Sequence, residues 1–264
     1  LEMTEQEYVR RMKLHSFKTL GHDKKGNLKR VPFVPDFLTT EFSPPNAHES
    51  IQMVPVPPEK LGVADRSTRR YYNTYRGPGI TAADAEAYHK ANPERCEQQM
   101  KFLHNHIVNG LCGGEQNKEE CGAFVAKWVA RKRQQPWKKN ECCVVFRSTE
   151  EGIGKTQFMR IVGALVGHRH SALIADPKLV LGNFNDICKD KLFLAIDEAG
   201  RDKQMSDTEM AKMQDLITGK TLALRELYKA ACPRVAYVDL MLTSNRTDGI
   251  AMMNMGTRRY WFAE

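Results

Sequence analysis

Ser148-Thr149-Glu150-Glu151-Gly152-Ile153-Gly154-Lys155-Thr156 is a polar, glycine-bearing loop. It lies between a short apolar strand, Cys142 to Phe146, and a helical pattern from Lys155 to Val166. Strand, loop and helix in this order are the context that a phosphate-cradling loop requires. Glycines let the backbone close around phosphate oxygens, and the loop N–H groups with the helix N-terminus favour negative charge. Lys155 is placed to reach β- and γ-phosphates, and the Thr156 hydroxyl to meet Mg²⁺. Gly152, Ile153, Gly154, Lys155, Thr156 and Gln157 are therefore the candidate phosphate-binding residues. The pattern G-x-x-x-x-G-K-[ST] is incomplete: Thr149 stands where its first glycine falls, and Gly152 supplies the flexibility instead.

Two further strands end in polar residues downstream. Lys191-Leu192-Phe193-Leu194-Ala195-Ile196-Asp197-Glu198 is an apolar run closed by two carboxylates. Adjacent residues at a strand end can aim one carboxylate at a metal and the other at a nucleophile. Asp197 is thus the candidate Mg²⁺ partner beside Thr156, and Glu198 the group that polarises an attacking water. Tyr237-Val238-Asp239-Leu240-Met241-Leu242-Thr243-Ser244-Asn245 closes in the same way, with Asn245 placed to orient that water or sense a γ-phosphate. Arg258 and Arg259 precede an aromatic strand, and an arginine there can stabilise charge on a transferring phosphoryl group across a subunit boundary.

Between these landmarks the chain alternates strand and helix, the signature of a βαβ-based sheet. Ser206 with Glu209 forms a capping box opening a helix to about Thr218, and strands are expected over Thr221 to Leu227 and Arg234 to Thr243. Upstream, Thr81 with Asp84 starts a helix, and Asn92-Pro93 starts another as N-cap and first helical residue. Met100, Leu103, His104, Ile107 and Leu111 continue that second helix until Cys112-Gly113-Gly114. A third runs from Lys118 to Gln134, with Phe124, Val125, Trp128 and Val129 on its apolar face. Before residue 80 the prolines break any long helix. Only Thr4 to Leu14 reads as helical there, and Val31 to Phe37 as a brief strand.

The phosphate loop, the Asp-Glu strand and the apolar strand ending in Asn, in this order, resemble the superfamily 3 helicases of viral, phage and plasmid primase-helicases. The resemblance implies an α/β fold: an AAA+-like P-loop ATPase core with a parallel-type central sheet at 141–264. A small helical subdomain at 81–140 and a basic, Pro-rich segment at 1–80 would precede it. It further implies ATP and Mg²⁺ at the interfaces of a homo-oligomeric, hexameric ring that moves on single-stranded or forked DNA. Leu222 to Lys229 is similar to the family's channel hairpin, which makes Lys229 the candidate contact to the strand backbone, with Tyr228 nearby. The arginine finger falls on Arg259, with Arg258 the alternative. Tyr72 to Gly77, and Phe124 to Pro136 with Trp128, Ala130, Gln135 and Pro136, resemble segments ahead of such cores. No primase-polymerase domain fits in this length, so one is expected on a longer chain or on a partner. The alternative function is an ATP-switched nucleic-acid binding or loading protein without unwinding; a monomeric P-loop kinase is a third reading.

Composition is compatible with this. The 264 residues carry 40 Lys plus Arg against 32 Asp plus Glu, a formal charge of +8, which favours a polyanionic partner. No run of about 18 apolar residues is present, so no membrane span is expected, nor is a secretory leader. The seven cysteines show no C-x-x-C, which argues for reduced thiols in an intracellular, cytoplasmic or nuclear setting. His104-Asn105-His106 spells a nuclease-like tripeptide, but in a helical stretch without ββα-metal surroundings. Trp137 with Lys138 and Lys139 reads as a domain-edge cluster.

Overall fold

The computed structural model describes residues 18–22, 28–32, 50–56, 71–199, 206–228, 230–245 and 258–263. The expected helix at Thr4 to Leu14 lies outside them, as does the part of the Val31 to Phe37 strand beyond Pro32. The chain divides into two compact units, Leu1–Gln52 with Ala64–Tyr72, and Met53–Val63 with Asn73–Glu264. In the first, β1 (Lys18–His22) pairs antiparallel with β2 (Leu28–Pro32). A second two-stranded pairing joins β3 (Ser50–Gln52) to β4 (Tyr71–Asn73).

The second unit opens with α1 (Ala82–Ala91) and α2 (Pro93–Asn105), which continues as a π-helical turn, His106–Leu111. The Thr81/Asp84 capping box forms. Asn92, however, makes no side-chain cap for α2; its amide donates to Tyr88 O at 3.1 Å. The uniform helix expected through Leu111 changes pitch at His106: Cys112 N–H reaches Ile107 O, one residue further back than in an α-helix. That wider turn buries Ile107, Val108 and Leu111 together. Helix α3 (Lys118–Gln134) follows at the expected bounds.

The core is a five-stranded parallel sheet ordered β11-β5-β10-β7-β6. Its strands are β5 (Cys143–Arg147), β6 (Ser171–Ile174), β7 (Phe193–Ile196), β10 (Asp239–Ser244) and β11 (Tyr260–Ala263). Helix α4 (Lys155–Val166) follows β5, α5 (Lys178–Leu181) follows β6 and α6 (Asp207–Thr218) follows β7. Side chains alternate between two cores, as a sheet covered on both faces demands. Cys143, Val145, Leu194, Ile196, Leu240 and Leu242 pack with Met213, Leu216 and Ile217 of α6. Val144, Phe146, Phe193, Ala195 and Met241 pack with Val125 and Trp128 of α3 and Phe158 and Val162 of α4.

The strand expected over Arg234 to Thr243 is two strands in different sheets. β9 (Cys232–Val235) pairs antiparallel with β8 (Thr221–Leu224), shorter than the expected run to Leu227, and the pair stands apart from the main sheet. Ala236 N–H closes that hairpin on Lys220 O, and Asp239 N–H then opens the parallel ladder on Leu192 O. Asn185 ends β8, accepting from Arg225 N–H and donating to Ala223 O. Lys139 does not face out: its ammonium donates to Leu216 O and Gly219 O, satisfying the C-terminal carbonyls of α6.

Buried His170 ties residues 73–76 to this core. Its Nε2 accepts from Arg76 N–H at 3.2 Å, which places the ring proton on Nδ1, donated to Asp190 O at 3.0 Å. The Tyr75 ring lies 5.1 Å away and Asp190 also accepts from Thr74 Oγ1. Burial lowers the His170 pKa, Lys191 and Arg169 lower it further, and the Asp190 carbonyl and charge oppose them. A folded pKa below the unfolded value of about 6.5 gives stability that is present above pH 6.5 and lost as pH falls. Wild type is therefore expected to lose urea resistance between pH 7 and 5 more steeply than His170→Gln. Parallel losses in the two proteins would refute this.

Candidate functional site at the carboxyl ends of the strands

The carboxyl ends of β5, β10 and β7 lie side by side. From β5 the chain crosses to the β6 edge, whereas from β10 it goes to β11 at the other edge, so the connections diverge between neighbouring strands. A crevice at such a point is where open α/β sheets bind ligands. The loop 148–154 leaves the sheet at this point, between β5 and α4. Gly152 and Gly154 adopt φ of 80° and 87°, left-handed values that other residues reach only with strain. Ser148 N–H donates to Ser244 O, fixing the loop to β10. Lys155, buried at the first turn of α4, donates through Nζ to Ser148 O and Glu150 O at 3.2 Å each. Burial lowers its pKa, while Asp197, Glu151 and Glu198 pull the other way.

Thr156 Oγ1 donates to Asp197 Oδ2 at 2.8 Å, joining the start of α4 to the end of β7. Thr243 Oγ1, 1% exposed on β10 between them, donates to Asp197 Oδ1 at 2.6 Å and accepts from Glu198 N–H at 2.9 Å. Glu198 has φ 51°, a non-glycine residue in left-handed backbone held by that bond and by Ala199 N–H on Thr243 O. Such backbone costs about 1 kcal/mol and is typical of functional positions. The sequence reading places Asn245, not Thr243, at this strand end. The signal for Thr243 is that it is the first hydroxyl after the apolar run Leu240-Met241-Leu242, followed at once by Ser244.

Lys155, Thr156, Asp197, Glu198 and Asn245 thus gather at one end of the sheet; Ile153 is half-buried in the loop and Gln157 is exposed on α4. Arg258 and Arg259 are at the other end, where Arg259 O accepts from Cys143 N–H at the start of β5. Five residues of β5 at about 3.3 Å each separate them from the loop by roughly 16 Å. The Arg259 guanidinium donates from Nη1 to Gln214 Oε1 of α6 at 3.3 Å. Tyr228, 96% exposed with φ 61°, is at the tip of the β8–β9 hairpin. Lys229 lies outside the described residues. His104 of the nuclease-like tripeptide faces Glu119 on the surface at 3.6 Å. Burial pushes the Cys112 and Cys188 thiols up to about 12 and Cys142 up to about 11, far from thiolate chemistry at neutral pH.

Among the described residues no group of three or more His, Cys, Asp or Glu is placed to hold a metal ion, and no helix is long and apolar enough to cross a membrane.

A family model described as a family of unknown function, DUF5906, matches residues 146–259, which span the loop, the acidic pair and the hairpin. No curated protein matches the chain. Among solved structures, the apo structure of the NrS-1 C-terminal region (305–718) is similar with a TM-score of 0.51 at 18% identity. That match covers 61% of this chain and 37% of the other, so the chain spans well under half the length of that region. The A form apo structure of the same region gives a TM-score of 0.48 at 16% identity, covering 61% of this chain and 36% of that one. The first likeness is one of fold.

Proposed function

We propose that the chain is the ATPase core of a ring-forming DNA helicase or translocase serving replication of a viral or other mobile genome. The observation that carries this reading is the convergence of Thr156, Asp197 and Thr243 beside Lys155 at the strand ends. Phosphate oxygens would replace the loop carbonyls as partners of the Lys155 ammonium, while the loop N–H groups and the α4 N-terminus face the same charge. Thr156 and Asp197 offer hard oxygen donors, and Mg²⁺ characteristically takes one or two protein oxygens and fills the rest with water and phosphate. They suit that ion without a larger acidic cluster. An Mg²⁺ held by these two residues would offset the charge of the phosphate oxygens. Glu198, fixed by its N–H on Thr243, is the base for the attacking water, and Asn245 orients that water.

Arg259 supports an oligomeric site. It lies too far from its own loop to act there, so it serves a neighbouring subunit, with Arg258 as the alternative. The β8–β9 hairpin follows α6 directly and presents Tyr228, with Lys229 next in sequence, to single-stranded DNA. The test is ATP hydrolysis with and without single-stranded DNA, with mass read by light scattering. DNA-stimulated hydrolysis in ring-sized particles is expected. Arg259→Ala and Lys155→Ala should each be inactive, yet an equal mixture should regain activity, because about a quarter of interfaces in a random ring pair an intact loop with an intact arginine. Hydrolysis by a monomer indifferent to DNA and to Arg259→Ala would overturn the ring; ATP and DNA binding without hydrolysis would favour the loading-protein alternative.

A further inference from the structure

We propose that Phe102 and His106 form the nucleobase subsite of the phosphate-loop site, stacking the aromatic base of a nucleoside triphosphate. The inference rests on the nucleotide reading above and adds the residues that take the base. It starts from His106, whose imidazole is set directly against the loop. A Cβ at residue 154 would fall 2.6 Å from His106 Cε1 and 3.1 Å from Nε2, so the ring occupies the space that only a glycine leaves. Gly110, one π-turn on, makes the same close approach: a Cβ there would lie 3.2 Å from His106 Nδ1 and 3.9 Å from Ile153 O. The π-turn therefore seats its first residue on the loop while burying Ile107, Val108 and Leu111 behind it.

Phe102 lies one turn earlier on α2. Its ring is parallel to His106 within 7°, with centroids 6.4 Å apart, and it remains 74% exposed. A single exposed aromatic needs no explanation. An exposed one aligned with a second ring that touches the phosphate loop makes an apolar platform where a nucleotide would pass.

The direction of the nucleotide selects this platform. Thr156, Asp197 and Glu198 put the metal and terminal-phosphate end towards β10 and β7. The nucleoside end then runs to the other side of β5, where β11 lies. Helix α3 covers that side, stacking Phe124 on Trp261 of β11 at 4.7 Å. The π-turn packs on α3 so closely that a Cβ at Gly122 would lie 2.7 Å from Val108 Cγ2. The ring pair thus stands on the flank opposite the acidic pair, where the base arrives. Stacking recognises any base by its π-face, so the subsite favours aromatic bases without fixing their identity.

Calorimetric titration of the full chain with Mg-ATP and with inorganic tripolyphosphate tests this. Wild type should bind ATP more tightly than tripolyphosphate. Phe102→Ala should weaken ATP by roughly 5- to 150-fold, the usual worth of one base–aromatic stack, and leave tripolyphosphate within about twofold. Phe102→Trp should retain ATP affinity. Equal losses for both ligands, or unchanged ATP binding in Phe102→Ala, would overturn the subsite while leaving the phosphate loop standing. A wild-type chain that binds neither ligand would overturn the nucleotide reading, and the subsite with it.

Discussion

Lys155→Ala is expected to lower ATP hydrolysis by about 10²–10³-fold or more, the cost of removing one preorganised cation from a transferring phosphoryl group. The side chain makes two bonds, both to carbonyls of its own loop, so its loss should leave the circular dichroism spectrum unchanged. Glu198→Gln separates binding from chemistry. It keeps the shape and the backbone bond to Thr243 but removes the charge that accepts a proton, so ATP should bind normally and turn over slowly. Single-turnover kinetics with Mg-ATP would check both. Wild-type turnover in Lys155→Ala would sink the site altogether; wild-type turnover in Glu198→Gln would remove only the base assignment.

How much of this was legible in the sequence depends on whether the deciding interaction is local. Helix α4 could be read to the residue because its apolar spacing is bounded by Gly154 and Gly167, and both capping boxes could be read because their partners are three residues apart. β7 is a continuous apolar run and β10 carries one over residues 240–242, because both faces of these strands are buried. β6 escaped because it is an edge strand in which only Ile174 is buried. The merging of β9 with β10 had the same kind of cause: Arg234 to Thr243 keeps one pattern across residues 236–238, where the chain passes from hairpin to sheet. The π-turn gives no periodic signal within six residues. At the site, the residues of loop and acidic pair were legible, but their meeting was not. That β10 stands between β5 and β7, putting Thr243 at the centre, is a fact of strand order, which no spacing along the chain encodes.

Lys132→Met is expected to destabilise the protein by about 3–5 kcal/mol, the cost of leaving one partner of a buried ion pair uncompensated. Lys132 has no exposed surface and Asp239 only 2%; Nζ lies 3.0 Å from Oδ2. Backbone carbonyls of Lys138 and Tyr237 accept from the same ammonium, and Asn140 N–H donates to Asp239 Oδ1 at 2.9 Å. Burial lowers the lysine pKa and raises the aspartate's, and each charge opposes the shift of the other. In the sequence, Lys132 sits between Arg131 and Arg133 and reads as one of a solvated basic run. Yet it continues the stripe Val125, Trp128, Val129 at helical spacing, so it points into the core. Replacing both partners, as in Lys132→Met with Asp239→Leu, removes the buried charge and should recover most of the loss. Urea unfolding of the single and double variants measures this; costs that simply add would refute the coupling. Asp239 begins the strand whose far end carries Thr243, so the pair anchors α3 to the strand that aligns the acidic residues. The single variant should therefore also weaken Mg-ATP binding under conditions where it remains folded, and the double variant should restore it.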